Sequence, residues 1–354
     1  MANTFKTFLN SDIANARTLL HEAIPITGTI VSGTYTGDAN IKTFAHGMFE
    51  AVYDYPYLSS SANHIFDITA GYSSESSLSS SDNAQNAKKI NIYNQHAQVL
   101  AGYDATGSIQ RFDTDGNIVA GGDKMKECFF INFARLLTKD EIKKGSFVLD
   151  LYTSGTEVYD EGDRLSMKPF GDYGASTDYK VNSPAGEYGL LYTASSEPKG
   201  EVMGHIYYQA GIVVLTASAC SGAFSDPEDI PVGAIGSTKP AVDYALTAST
   251  ITSIANGFRF AIDSIDFNNT TELNSTIYFC RASTQDYNYS ANPTYLSASK
   301  IIVKNNNPKA EPVSYITTVG LYSADNELLA VAKLSEPLKK SPSNELTLRV
   351  RLDY

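Results

Sequence analysis

The five histidines, His21, His46, His64, His96 and His205, are the first residues whose type permits metal or general-base chemistry. None is followed by a second histidine four residues on, the spacing that sets two imidazoles on one helix face. His21-Glu22 opens like the helix of a zinc protease, but Pro25 stands where the second histidine belongs. A triad could then arise only by convergence in space, which spacing does not show. No nucleophile elbow, P-loop or dinucleotide-binding glycine pattern is present. The cysteines, Cys128, Cys220 and Cys280, are odd in number and far apart. They make neither a disulfide framework nor a zinc site, and read as buried free thiols in a reduced compartment.

Two acidic groups invite a cation. Asp113-Thr-Asp115-Gly-Asn117 resembles the start of a calcium loop, but the sixth and twelfth positions are Ile118 and Lys124 rather than Gly and Glu. Asp-Gly is also a common tight-turn pair, so a hairpin turn is the reading. Asp160-Glu161-Gly162-Asp163 has no partner motif and reads as a solvated loop. Tyr53, Tyr55 and Tyr57 alternate as if projecting from one side of an extended segment, and Tyr287 and Tyr289 repeat the spacing. Such rows stack on sugar rings, and they also anchor cores and protein interfaces, because tyrosine loses little rotamer freedom. Core or interface is the preferred role. The sequence thus assigns no catalytic, cofactor-binding or metal-binding residue, and no cofactor.

Composition narrows the partners. The 27 basic residues against 39 acidic ones give a net charge of −12. That disfavours a nucleic-acid binder, which needs a basic stripe, and docking on anionic lipid. Only 19% of the 354 residues are charged, yet there are 23 tyrosines and no tryptophan. Such a composition is typical of β-rich chains that meet other protein surfaces, a correlation. The longest apolar stretch, residues 210–219, is about half of the ~20 residues a membrane helix requires. With no basic start followed by an apolar run, the expectation is a soluble protein made in a cytoplasm. The four sequons at Asn268, Asn269, Asn274 and Asn288 are accordingly expected to carry no glycan.

The elements that would position these residues follow from periodicity. Phe5, Phe8, Leu9, Ile13, Ala16, Leu19, Leu20 and Ala23 recur in steps of three and four, predicting a helix that Pro25 stops. Residues 87–100 predict a second helix, with Ile90, Tyr93, Ala97 and Leu100 on one face. Between them residues 73–81 hold seven serines, an exposed loop. A third helical region is expected from Lys124, ending in a helix capped by Thr138 and Glu141 and stopped at Gly145. Beyond it the period becomes two. Strands are predicted over 147–152, 188–194, 205–218 (turning at Gln209-Ala210-Gly211), 258–267, 276–282 and 300–304. Residues 160–185 and 221–240 read as long loops or linkers. Residues 314–334 predict a hairpin turning near Asp325-Asn326, and 346–354 a final strand with one wet face.

The reading is an α+β fold, mainly antiparallel sheet and sandwich-like, with helices in the N-terminal part. Three regions are expected: 1–145 with helices and the serine loop, 146–235 rich in β, and a C-terminal β domain, 236–354, with the last two as one domain the alternative.

The runs YFCRASTQDYNYSANPTY, SYITTVGLYSADNELLAVAKLSEPLKK and LRVRLDY resemble a family of structural proteins of T4-like contractile-tailed bacteriophages, of the marine type. The segments CFFINFARLLTKDEIKKGSF and GHIYYQAGIVVLTAS are similar to that family, as are HEAIPITGTIVSGTY and GMFEAVYDYPYLSSSANHIFD near the front. The resemblance implies a virion subunit of the tail or baseplate, assembled in the host cytoplasm. Its partners would be other virion structural proteins and copies of itself in a symmetric homo-oligomer, with no nucleic acid and no membrane. The family brings no catalytic residues. The alternatives are another virion position, such as head decoration, neck or fibre attachment, and a glycan-binding or glycan-cleaving module.

Overall fold

The computed structural model describes residues 5–26, 38–117, 121–155, 164–196, 199–220, 241–289, 296–297, 300–301 and 311–354. In chain order they form β1 (Ile13–Ile26), β2 (Ile41–Thr43), β3 (Glu50–Tyr53), β4 (His64–Tyr72), α1 (Asn86–Leu100), β5 (Phe112–Asp113), β6 (Lys124–Met125) and β7 (Glu127–Phe133). Then come α2 (Arg135–Thr138), β8 (Glu141–Ile142), β9 (Val148–Gly155), β10 (Arg164–Gly171), β11 (Lys180–Ser183), β12 (Gly186–Tyr192), β13 (Val202–Tyr207) and β14 (Ile212–Thr216). The last elements are α3 (Ala241–Ala248), α4 (Ile251–Ala261), β15 (Ile262–Ala282), β16 (Leu296–Ser297), β17 (Lys300–Ile301), β18 (Ser314–Tyr322), β19 (Leu328–Lys340) and β20 (Leu346–Asp353). With 47% strand and 16% helix, the chain is mainly antiparallel β, as its period-two patterning predicts. The helices are not confined to the front, since α3 and α4 follow residue 240. Among the described residues no helix is long and apolar enough to cross a membrane.

The chain divides into two compact units, Leu20–Thr271 and a smaller one made of Met1–Leu19 with Glu272–Tyr354. In the larger unit the strands pair in the order β15-β9-β10-β12-β13-β14-β7-β4-β3-β2. Strands from the expected first and second regions therefore share a sheet, β4 and β14 flanking β7. Residues 128–131 of β7 are buried on both faces and read as a short apolar run, CFFI. Phe129, Ile131 and Phe133 enter one core with Ala245, Leu246, Ile254 and Phe258 of α3 and α4. Cys128 and Phe130 enter a second core with Ile92, Tyr93, Ala97 and Leu100 of α1. Residues near both ends of the strand order, Ile41 and Val52 on one side, Leu149 and Ile265 on the other, join the first core. The sheet therefore curls around it.

The second predicted helix is α1, and it lies very close to β4. A Cβ on Gly71 would stand 2.5 Å from the Lys89 carbonyl oxygen and 2.9 Å from the Tyr93 nitrogen, so only glycine admits the helix there. The serine-rich segment is less exposed than its composition suggests. Ser73 and Ser76 are buried, and each of their carbonyls accepts a turn hydrogen bond three residues on.

Two helix expectations are overturned. Residues 13–26 are the strand β1, preceded by a 3₁₀ turn at Asn10–Asp12, and nearly all of β1 is exposed. A three-four stripe secures a helix only when a partner buries that face; here β1 lies beside β15 in the strand order instead. Lys124–Phe133 is likewise strand, and α2 is a single turn in which Thr138 is the last residue rather than the N-cap. Lys139 follows with φ of +52°, which stops the helix, and Glu141 joins β8 beside β15. Residues 258–261, predicted as strand, close α4 before β15 begins.

The remaining strand readings in the described residues hold. The turn at Gln209-Ala210-Gly211 separates β13 from β14, with Gly211 N–H donating to the Tyr207 carbonyl at 2.8 Å. β18 and β19 form the predicted C-terminal hairpin around Asn326, whose φ is +66°. β20 pairs with residues 275–282 of β15 and alternates as read, Leu348, Val350 and Leu352 less exposed than Thr347, Arg349 and Arg351. The long loop expected over 160–185 is overturned in its described part, which holds β10, paired with β9, and β11, paired with β12. The acidic run 160–163, the linker 221–240 and residues 302–304 lie outside the described residues.

Replacing Gly71 by alanine is expected to destabilise the larger unit by about 2–3 kcal/mol, the usual cost of overpacking a tight contact. Equilibrium denaturant unfolding of wild-type protein and Gly71→Ala checks this, with a lower midpoint for the variant.

Candidate functional site

The residues with chemical potential are dispersed, and each has a local structural partner. His21 Nδ1 lies 3.1 Å from the Thr270 hydroxyl. The His46 ring stacks on Phe44 with centroids 5.2 Å apart. His64 Nε2 is 2.8 Å from the Asp67 carboxylate. His96 lies against Phe130 at 4.0 Å, its Nδ1 is 2.9 Å from the Ile92 carbonyl, and burial holds its pKa below the ordinary range. Among the described residues no group of three or more His, Cys, Asp or Glu is placed to hold a metal ion.

His205 differs from these in lying within a closed cluster of aromatic rings. It projects from β13 into the second core beside Tyr188, Tyr207 and Phe112. Its Nδ1 is 3.4 Å from the Tyr207 hydroxyl. All four rings are buried, so the cluster is closed to solvent. Desolvation pushes His205 down to about 4 and raises the Tyr188 and Tyr207 phenols. The Tyr188 hydroxyl donates to the Gly116 carbonyl at 2.8 Å, tying β12 to the Asp-Gly turn.

That turn is the candidate calcium loop. It folds as part of the β5–β6 hairpin, with Phe112 opposite Met125 and Asp113 opposite Lys124. Gly116 N–H donates to the Asp113 carbonyl, and Asn117 N–H to the Asp115 carboxylate. The buried Asp113 carboxylate is ion-paired with the Lys124 ammonium, so the chain supplies its own cation there. Burial raises Asp113, while the Asn117 backbone N–H lowers the exposed Asp115.

Next to this hairpin opens a cavity of about 610 Å³ lined by Glu75, Arg111, Asp123, Lys124, Lys126 and Glu127 among others. Of its lining charges Arg111 pairs with Glu75, Lys124 with Asp113, and Glu127 accepts from the Ser76 hydroxyl. The tyrosine row is not one extended face. Tyr53 closes β3, whereas Tyr55 and Tyr57 lie in the following turn, with the Tyr57 ring 6.4 Å from Tyr53. Tyr287 and Tyr289 are exposed after β15. Cys128 and Cys220 are buried free thiols, as read, and burial raises both; Cys280 is free and half-buried.

Sequence reasoning passed over several buried charges, Asp172, Lys89 and Lys340 among them. Asp172 accepts from the backbone N–H of Gly145 at 2.7 Å and of Phe147 at 2.9 Å, and from the Tyr208 hydroxyl at 2.9 Å. Burial outweighs these donors and pushes it up to about 6. Lys89 of α1 donates to the Leu246 and Ser249 carbonyls at 2.7 and 2.8 Å, capping the C-terminal end of α3, and burial lowers it to about 8. In the smaller unit, Lys340 donates to Asn288 Oδ1 and to the Ser341 carbonyl, both at 2.8 Å. None of the three stands in a motif that would mark it.

The open surface of the smaller unit has a different character. Exposed apolar side chains gather on the β18–β19 hairpin: Tyr315 (54% exposed), Tyr322 (43%), Leu328 (52%), Leu329 (67%) and Val331 (52%). In chemical terms, the buried groups clamp the fold and this surface is suited to contact. No family model, no curated protein and no solved structure matches this chain.

His205 and Asp172 give opposite pH dependences. Folded His205 stays neutral down to about 4, while in the unfolded chain it takes up a proton below its ordinary 6.5. Its contribution to stability is therefore lost as pH falls from 6.5 towards 4. Folded Asp172 holds its proton up to about 6, against 3.8 unfolded, so stability rises as pH falls from 6 to 3.8. Each is worth about 3 kcal/mol over its window. In denaturant unfolding between pH 4 and 6.5, Asp172→Asn is expected to lose stability on acidification more steeply than wild type, and His205→Gln less steeply.

Proposed function

We propose that this chain is a structural subunit of a bacteriophage virion, in the tail or baseplate, that works through protein–protein contacts in a symmetric assembly. The observation that carries the reading is the exposed apolar surface of the β18–β19 hairpin. A two-stranded hairpin is marginal alone in water, and Leu329 and Val331 stand more than half exposed. A neighbouring subunit covering them would remove both costs. The runs that resemble the phage family include this same hairpin, SYITTVGLY to LKK. The closed His205 cluster and the internally paired charges Asp113–Lys124 and Glu75–Arg111 fit an architectural role, in which buried polar groups hold shape. The low proportion of charged residues suits contact over a wide area.

Mass spectrometry of purified, nuclease-treated phage particles carrying this gene tests the reading. The chain is expected in fixed stoichiometry to the other tail proteins, remaining after high-salt washing. Absence from the particles, or a monomer that cleaves glycans, would contradict it.

A further inference from the structure

Among the described residues β18 pairs only with β19, so no described strand meets the N–H and C=O groups of its second edge. Proteins protect such edges with charge, proline or a bulge. The longer described strands beside it in the smaller unit carry that protection. β19 has Lys333, Glu336, Pro337 and Lys339, and its residues 334–337 bulge out opposite the single Thr317. β20 carries Arg349, Arg351 and Asp353, and β1 carries Arg17 within this unit. β18, SYITTVGLY, has no charged residue, no proline and no such bulge of its own. Its central residues Thr317, Thr318 and Gly320 are exposed.

We propose that β18 is a self-association edge: it pairs antiparallel with β18 of a second copy of this chain, about a two-fold axis near Thr318. The inference rests on the contact function proposed above and names its surface and partner. Antiparallel pairing of identical strands is isologous, so one uncharged edge satisfies the other without burying a lone charge. Threonines near the axis form favourable cross-strand pairs. Charge selects this unit for contact between copies. The larger unit holds 16 Lys and Arg against 30 Asp and Glu, so two of them repel; the smaller holds 11 against 9. Joining two hairpins also builds a four-stranded sheet, above the size at which a hairpin is marginal.

Light scattering coupled to size-exclusion chromatography, across a concentration series of the full chain, tests this. The wild type is expected to approach twice the 38.3 kDa of one chain. Thr317→Lys brings two like charges together near the axis and is expected to raise the dimer dissociation constant at least tenfold. Mixing Thr317→Lys with Thr317→Glu is expected to restore the dimer. Hydrogen exchange on the wild type gives a readout independent of any variant: amides of β18 gain protection as concentration rises. A wild type that stays monomeric, a Thr317→Lys protein that dimerises like wild type, or β18 protection independent of concentration would overturn the inference. These failures leave the virion reading standing if the chain is still found in particles, whereas absence from particles removes that reading alone.

Discussion

Every strand carries a row of main-chain donors and acceptors that must be paired or left to water, and this constraint organises the molecule. In the larger unit it is met by nesting. β7 lies between β4 and β14, with phenylalanines entering a core on each face. With both faces and both edges of this strand occupied, the helices have fixed berths. α1 can approach β4 only at Gly71, and α3 and α4 cover the opposite core. The polar side chains caught inside are then obliged to find partners within the protein.

They do so as clamps. Asp172 gathers two backbone amides and a phenol, Lys89 closes the end of α3, and Lys124 neutralises Asp113 under the hairpin turn. Lys340 does the same in the smaller unit, tying the end of β19 to the loop after β15. Burying these charges is costly unless they are bonded, and the bonding fixes loops and helix ends that apolar packing alone would leave free to shift. His205 belongs to the same economy, held neutral among aromatic rings.

Legibility followed how local the determinants are. α1, the turn at Gly211, the hairpin at Asn326 and the alternation of β20 were readable, because propensity, turn chemistry and periodicity act within a few residues. β1 and β7 were misread as helix. β1 has helical spacing, but its neighbour β15 lies some 250 residues away in sequence, and no local pattern records that pairing. In β7 the buried run Cys128–Ile131 is short and apolar, and such a run suits helix and strand equally. Thr138 and Glu141 had capping-box spacing, yet the Lys139 backbone conformation ends the turn between them. Of the chemically suggestive residues, the turn role of Asp113–Asn117 was legible from its Asp-Gly pair. The roles of Asp172, Lys89 and Lys340 depend on partners distant in sequence. The open edge of β18 is visible only once β19 is seen on its other side.

The account's central claim is that the β18–β19 hairpin meets another protein chain when the molecule is at work. A density map of the phage particle proposed to contain this chain, at a resolution that separates strands, tests it most directly. The account predicts a neighbouring chain against Leu329 and Val331, with a strand hydrogen-bonded along β18. A hairpin standing in solvent on all sides within a fully occupied subunit would contradict it.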